Sequence, residues 1–326
     1  MASTFFSVII PVYNRPIELA ELLNCLTQQD YPNFEVVIIE DGSKIDSKEV
    51  VASFTNKLAI SYFVKENGGQ GFARNYAFER AKGDFFVILD SDALIEPTYL
   101  TEVHKGVQED QLDLFGGPDR EHVSFTPIQK AISYSMTSFF TTGGIRGKAK
   151  NIGGKFHPRS FNMGISRQVW EKTGGFKITR MGEDIEFSIR CIENGFKSGL
   201  LPDAFIYHKR RTSFIQFYNQ LHFFGRARIN ISRFFPKELK WVHFIPMAYF
   251  IFFWNTVIWN IIDVKFGIIF SSLLIAYWIL ILIDALIKSK SLLIAILGLI
   301  AANIQLLAYG KGFLEEGLKK ITNKDL

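Results

Sequence analysis

The sequence predicts an α/β domain built on a mostly parallel sheet, followed by a helical region embedded in a membrane. Three observations carry that expectation. Short apolar runs rich in β-branched residues alternate with helix-period segments through residues 1–235. Polar clusters follow several of those runs directly, where parallel sheets bind their ligands. From Phe244 to Gly310 the only charged side chains are Asp263, Lys265, Asp284, Lys288 and Lys290.

The first apolar run, Ser7–Val12, contains Pro11 and reads as a buried strand. Pro16 then stands where a helix would begin, with Ile17, Leu19, Leu22, Leu23 and Leu26 at helical spacing. Phe34–Ile39 is a second strand, closed by the turn sequence Asp41-Gly42-Ser43. Leu58–Val64 reads as a third strand, Gly71–Lys82 as a helix and Phe85–Leu89 as a fourth strand. Tyr13-Asn14, Glu40-Asp41 and Asp90-Ser91-Asp92 all fall at strand ends. The Gly- and Lys/Arg-rich stretch 141–159 is long for a connection and is expected to be either functional or a solvated surface loop.

Three apolar runs follow, Phe244–Ile262, Phe266–Ile287 and Leu292–Tyr309. Each approaches or reaches the ~20 residues a helix needs to cross a bilayer. Breaks of only a few polar residues argue against a buried helical core. Several tryptophans and tyrosines stand near the run ends, where amphipathic rings favour the interface. Arg226, Arg228, Arg233, Lys237 and Lys240 precede the first run, which predicts an N-terminal domain facing the cytosol. Lys288 and Lys290 agree. Lys311, Lys319, Lys320 and Lys324 disagree if all three runs cross, so the alternative is a re-entrant or interfacial run. The stretch Arg226–Lys240, interleaved with Phe234 and Phe235 and preceded by Phe223 and Phe224, reads as interfacial. The expectation is therefore a domain over 1–235 and a membrane region over 236–326 with two to three transmembrane helices. Met1–Phe6 has neither a basic n-region nor a long apolar core, so no cleavable signal is expected.

Composition agrees with this division. The 326 residues carry 37 basic and 32 acidic side chains, a formal +5, and no nucleic-acid partner is expected at that modest excess. A hydrophobic share of 48% with 32 phenylalanines excludes a disordered or collagen-like chain. Cys25 and Cys191 cannot form a disulfide framework, which favours a reducing compartment.

The candidate chemistry lies in the strand-end clusters. Asp90 and Asp92, two residues apart after an apolar strand, suit one hard divalent cation, but a turn cap or a solvent-facing pair has the same pattern. Asp41 is either the side chain of an Asx-turn or a carboxylate that accepts from a base or ribose. Glu66-Asn67-Gly68-Gly69-Gln70-Gly71 runs into a helix that carries Arg74, an arrangement that serves either anion binding or simple capping. Neither a G-x-G-x-x-G after the first strand nor a P-loop is present, so hydride transfer and P-loop hydrolysis lose their usual signals. Glu183-Asp184 opens a helix; such a pair is either a dipole partner or a general base beside Gly174, Gly175 and Gly182. Phe161-Asn162-Met163-Gly164 reads as a wall segment close to it. His208 ends an apolar run before Lys209-Arg210-Arg211, as part of a solvated basic patch or as a metal or pyrophosphate contact.

Together SVIIPVYNR (7–15), IIEDGS (38–43), ENGGQGFARN (66–75), DFFVILDSDA (84–93), FNMGISRQVWEKTGGF (161–176) and GEDIEF (182–187) resemble the family 2 glycosyltransferases of GT-A fold, over about residues 5–210. The resemblance implies transfer of a sugar from a nucleotide-diphosphate sugar, with inversion, to a hydroxyl acceptor. It puts Pro11, Val12, Tyr13, Asp41, Asn67, Arg74 and Asp90 around the donor. It puts Asp92 on a Mn2+ or Mg2+ ion, which His208 would join in its metal-contact reading, and makes Asp184 the catalytic base. Trp170, Gly164 and Glu183 are expected around the acceptor, a lipid-linked or cell-surface glycan. The Q-x-x-R-W signature of processive synthases is absent, with QLHFFGRARI (220–229) in its place, which argues against a polymer-extruding enzyme. The implied setting is the inner (cytoplasmic) membrane of a bacterium, with a multi-pass chain. Two other readings remain. A polyprenyl-phosphate glycosyltransferase would share the fold, but its phosphate acceptor needs little help from a base. A non-catalytic nucleotide-sugar-binding protein would need neither Asp92 nor Asp184.

Overall fold

The computed structural model describes residues 3–122, 124–142, 156–179, 181–208 and 211–322, the side chain of His208 excepted. By packing, the chain forms two compact units, Met1–Arg120 with Ala149–Lys209, and Glu121–Lys148 with Arg210–Leu326. The expected division at 235 falls later than this one, because the helices over 127–137 and 214–234 pack with the apolar helices. Residues 143–155 of the basic 141–159 stretch lie outside the described residues.

In the first unit, β1 (Phe6–Val12), α1 (Pro16–Leu26), β2 (Phe34–Asp41), α2 (Lys48–Ala52), β3 (Ile60–Lys65), α3 (Gln70–Phe78) and β4 (Phe85–Leu89) follow the expected alternation. β5 (Ala93–Ile95), α4 (Tyr99–Asp110), β6 (Leu114–Gly116) and β7 (Asp119–Arg120) come next. The unit's later half holds β8 (Asn162–Ser166), α7 (Arg167–Thr173), α8 (Glu183–Glu193), β9 (Ser198–Leu200) and β10 (Ile206–His208). Seven strands form one sheet in the order β3-β2-β1-β4-β8-β6-β9. β1, β2, β3 and β4 are parallel, whereas β8 runs antiparallel to both β4 and β6. The sheet is therefore mostly parallel but mixed.

β1 is central and covered on both faces, which is why its apolar run is unbroken. Alternate residues go to opposite layers. Val8, Ile10, Val12, Val36, Ile38 and Val87 pack with Leu19, Leu22 and Leu23 of α1 and with Leu100 and Val103 of α4. Ile9, Val37, Ile39, Phe86 and Ile88 pack with Ala73 and Phe78 of α3, Val169 of α7 and Phe187 of α8. A second sheet, β5-β10-β7, starts directly after Asp92. Its register sets His208 opposite Ala93.

The second unit is helical: α5 (Pro127–Thr137), α6 (Phe139–Thr142), α9 (Phe214–Phe234), α10 (Ile245–Ile262), α11 (Val264–Ser289) and α12 (Leu292–Ile321). Thr126 and Gln129 close a reciprocal capping box at the start of α5, with Pro127 in its first turn. Among the described residues three helical stretches are long and apolar enough to cross a membrane: Trp241–Ile262, Val264–Ser289 and Leu292–Ile321. Ile132 and Met136 of α5, Phe217 and Leu221 of α9, and Ala301 and Ala308 of α12 form a shared core.

Candidate active site at the strand ends

The carboxyl ends of β1, β2 and β4, with the start of α8, gather the polar residues singled out in the sequence. Asn14, in left-handed backbone after β1, takes the N–H groups of Lys44 and Ile45 on its side-chain oxygen (2.8 and 3.0 Å). That clamp ties the turn after β1 to the loop after β2. Tyr13 beside it is half exposed, at 50%. Pro11 and Val12 pair with Ile39 and Glu40, so they form the strand wall beneath.

Asp41 is buried at the end of β2. Its carboxylate accepts the N–H groups of Gly68 (2.9 Å) and Gly69 (2.8 Å) and an ion pair from Lys65 (2.6 Å). Asn67 donates to its carbonyl at 2.8 Å. Gly42 is a glycine because a Cβ would lie 2.6 Å from the Asn67 nitrogen. The glycine-rich 66–71 segment is thus held against β2 by the aspartate read as a turn residue or a ligand contact.

Arg74 is fully buried, yet its guanidinium is only partly satisfied. One nitrogen bonds Asp90 at 3.0 Å and another stands 3.5 Å from Glu183, while Nε and Nη1 make no hydrogen bond. A buried cation with unused donors is the arrangement expected of a group that awaits an anion. Phe176 lies under it, with the ring centre 5.5 Å away.

Asp92 is buried and carries an ion pair with Arg15, from the turn after β1. Arg15 stands where a cation would sit, and its side chain is 34% exposed, so it can withdraw toward solvent. Two carboxylates with hard oxygens, each already facing a positive charge, Asp90 on Arg74 and Asp92 on Arg15, fit a divalent ion. The His208 backbone pairs next to Asp92 through Ala93. Among the described residues no cluster of three or more ligands is preformed, and the His208 side chain lies outside them.

Glu183 and Asp184 open α8 after Met181 (φ 60°) and Gly182 (φ 99°), both in left-handed backbone. This reversal delivers the pair to the sheet end, with Glu183 hydrogen-bonded by Gln70 and ion-paired with Arg74. Burial, reinforced by the Asp184 charge, pushes the Glu183 carboxyl up to about 7. Asp184 is more open and lies 3.7 Å from Arg159.

Two expected acceptor residues are not brought to this cluster. Gly164 pairs with Val87 and Phe115 in the middle of the sheet, where a Cβ would lie 2.0 Å from the Phe115 ring. Its side chain is missing to make room for packing. Trp170 lies edge-on to Phe86, near the start of β4, because antiparallel β8 carries the chain away from Asp90 before α7 begins. Conversely, Arg15, Gln70 and Arg159 have no role assigned by sequence pattern. Arg15 and Gln70 stand within the family-like motifs and Arg159 ends the basic 141–159 stretch, so motif membership was the available signal.

A mixed α/β sheet whose strand ends carry paired carboxylates, a buried arginine and an acidic helix start defines a GT-A-like nucleotide-sugar fold. Residues 7–173, just over half of the chain, match the Glycosyl transferase family 2 profile, and the chain belongs to that family. The poly(ribitol-phosphate) beta-N-acetylglucosaminyltransferase TarS of Staphylococcus aureus is 37% identical over 113 residues, covering 33% of this chain and 20% of TarS. Glycosyltransferase AglE of Haloferax volcanii is 27% identical over 218 residues, 65% of this chain and 69% of AglE. Among solved structures, the mannosyltransferase PcManGT of Pyrobaculum calidifontis, in complex with GDP-Man and Mn2+, superposes with a TM-score of 0.59 at 18% identity. That match covers 100% of this chain and 89% of PcManGT. The crystal structure of S. aureus TarS 1-349 gives 0.50 at 24% identity, over 69% of this chain and 66% of that one. This chain spans about a fifth of the length of the TarS sequence it matches.

Proposed function

We propose that the protein transfers a sugar from a nucleotide-diphosphate sugar to a hydroxyl acceptor, with inversion, and that the acceptor is lipid-linked. The observation that carries the reading is Arg74, buried between Asp90 and Glu183 with donors unused, at the strand ends of a GT-A-like sheet. Pro11, Val12, Tyr13, Asp41 and Asn67 hold the nucleotide, and Arg74 receives the diphosphate charge. Asp92, with Asp90 and His208, would hold a Mn2+ or Mg2+ ion that supplies positive charge to the departing diphosphate. Arg15 must leave Asp92 for that to happen. Asp184 takes the proton of the acceptor hydroxyl as its oxygen bonds to the anomeric carbon. The bond from that carbon to the diphosphate breaks in the same step, and its electron pair leaves with the diphosphate. Glu183, whose carboxyl burial keeps protonated below about pH 7, leaves the proton transfer to Asp184.

A lipid-linked acceptor is favoured by the helical unit. It contains a cleft of about 400 Å³ lined by Phe140, Ala248, Tyr249, Phe252, Leu274 and Tyr277 among others. Such a cleft suits an aliphatic or isoprenoid tail better than a free glycan. The basic junction before α10 supports a cytosolic catalytic unit on the inner membrane.

Purified full-length protein in detergent, screened against nucleotide sugars with Mn2+ or Mg2+, tests the reading. At least one donor should raise the melting temperature and be slowly hydrolysed, and EDTA should abolish turnover until Mn2+ is restored. A protein indifferent to every nucleotide sugar overturns the enzyme reading. Turnover that persists in EDTA removes Asp92 from its role.

A further inference from the structure

The three apolar helices of the second unit are each long and apolar enough to cross a membrane, but they differ in their contacts. α10 and α11 form an antiparallel hairpin. Near its tip Asn260 donates to Ser271 (2.9 Å) and to the Gly267 carbonyl (3.3 Å). Toward its open end Trp278 donates to the Tyr249 hydroxyl at 3.1 Å. The open end therefore holds the start of α10 and the end of α11. α12 begins there as well, with Ser291 as its cap, directly after α11 ends at Ser289.

If α12 ran along the hairpin, its last turns would lie beside Asn260 and Gly267 at the tip. They do not. Asn303 meets both hairpin helices, taking Tyr249 (2.5 Å) and Trp278 (2.8 Å) on its side-chain oxygen. Two turns later, ~10 Å along α12, Gly310 packs on Pro246 in the first turn of α10, where a Cβ would lie 2.3 Å from the Pro246 carbonyl oxygen. The Phe313 ring centre is 5.0 Å from that of Phe244, which precedes α10. The final turns then follow α9. His222 meets Glu315 at 2.7 Å, and buried Glu316 binds Arg226 (3.1 Å) and Arg233 (3.3 Å). Lys320 donates to Ser232 at 2.8 Å. Both ends of α12 thus lie at the open end of the hairpin.

The exposed faces distinguish the helices in the same way. At about 100° per residue, the exposed large apolar residues of α12 (Leu292, Leu293, Ile296, Ile300, Leu318 and Ile321) fall within an arc of roughly 100°. Those of α11, from Val264 through Phe266, Leu273 and Leu280 to Ile287, spread over roughly 200°. A narrow apolar arc, in α12 confined to 292–300 and 318–321, marks a helix that rests on hydrocarbon from one side; a broad apolar arc marks one immersed in it.

We infer that only α10 and α11 cross the membrane, and that α12 lies across their open end in the interfacial plane, with its C-terminus on the same side as α9. This accounts for the lysines. Lys311, Lys319 and Lys320 join Arg226, Arg228, Arg233, Lys288 and Lys290 on one face of the bilayer, so all eight of these basic groups satisfy the positive-inside rule. α12, 30 residues and ~45 Å long, also avoids spanning ~30 Å of hydrocarbon with charged turns at its end.

The test is side-specific labelling of single-cysteine variants of the full chain, Lys237→Cys, Lys265→Cys and Thr322→Cys, each combined with Cys25→Ser and Cys191→Ser, with a membrane-impermeant maleimide in oriented vesicles, read against the cysteine-free chain. Thr322→Cys should label from the same side as Lys237→Cys, and Lys265→Cys only from the other. Thr322→Cys labelling with Lys265→Cys overturns the inference. A C-terminal reporter on the unsubstituted chain gives an independent readout. A fluorescent protein there should mature on the cytosolic side; an active alkaline phosphatase there, with a dark fluorescent fusion, overturns it as well.

Discussion

Each unit buries a three-membered set of arginine and carboxylate, and the two sets end differently. In the helical unit Glu316 is enclosed, with one oxygen taken by Arg226 and the other by Arg233, and the set joins α12 to α9. In the α/β unit the enclosed group is Arg74, and its two carboxylates leave donors unused. In the first set the buried carboxylate has both oxygens paired, and the set holds helices together. The second is open toward the strand ends, where further charges wait on Asp92, Arg15, Asp184 and Arg159. Burial of charge alone therefore does not mark a functional site. What sets the strand-end group apart is a fully buried cation, Arg74, whose two carboxylates leave donors unused beside further charged side chains.

The sharpest way to break this contrast is to remove one acid from each set of surroundings. Asp184→Asn should lower sugar transfer by about 10²- to 10⁴-fold, the range for loss of a positioned base. Donor binding, read by thermal shift, should survive. Undiminished transfer would assign the proton to another group. Glu316→Gln should leave turnover per folded molecule unchanged and destabilise the helical unit instead. Removing one partner of a buried pair costs about 3–5 kcal/mol, and the partial exposure of both arginines puts the loss toward the lower figure. A lower melting temperature with intact activity supports the division of labour; lost donor binding contradicts it.

Glu183 offers a pH-resolved version of the same comparison. Its folded-state pKa, near 7, stands above the ordinary 4.5, so the folded chain holds a proton that the unfolded chain releases. That contribution is complete below about 4.5 and is lost as pH rises through about 7. Glu183→Gln should therefore match the unsubstituted protein near pH 4.5 and be the more stable of the two at pH 8, by up to about 3 kcal/mol at 1.36 kcal/mol per unit. Melting curves across that interval check the sign. Equal differences at both ends would mean that the carboxyl titrates normally.

How much of this was legible in the sequence depended on the range of the interaction. β1, β2 and β4 were visible because a central parallel strand must be apolar on both faces, and the polar residues that follow it have nowhere to go but the sheet end. The Asp90-Ser91-Asp92 group was found for that reason, and Glu183-Asp184 as the acidic start of a helix. β6, β9 and β10, of three residues each, are too short to show a period. Without them the pairing of His208 with Ala93 is invisible. The ion pair of Arg15 with Asp92 joins residues 77 apart, and no local rule reaches that far. Hydropathy located α10, α11 and α12 because it sums composition, but it carries no information on direction. The contacts of Asn303 and Glu316 supply that.

Trp170 sets apart local pattern and fold most directly, and its replacement is the smallest change proposed. The family resemblance makes it, with the Gly174-Gly175 segment, an acceptor platform. In the fold it packs edge-on to Phe86, with ring centres 5.9 Å apart, and close to the Arg167 guanidinium, at the end of β4 remote from Asp90. Trp170→Phe keeps an aromatic ring on Phe86 and should cost on the order of 1 kcal/mol, as mild core trimming does. The KM for both donor and acceptor should stay within about twofold. A core residue lowers the melting temperature and leaves KM alone; a platform residue does the reverse. Should the acceptor KM rise several-fold while the donor KM and melting temperature hold, the platform reading is right, and α7 must approach the acceptor in a conformation other than this one.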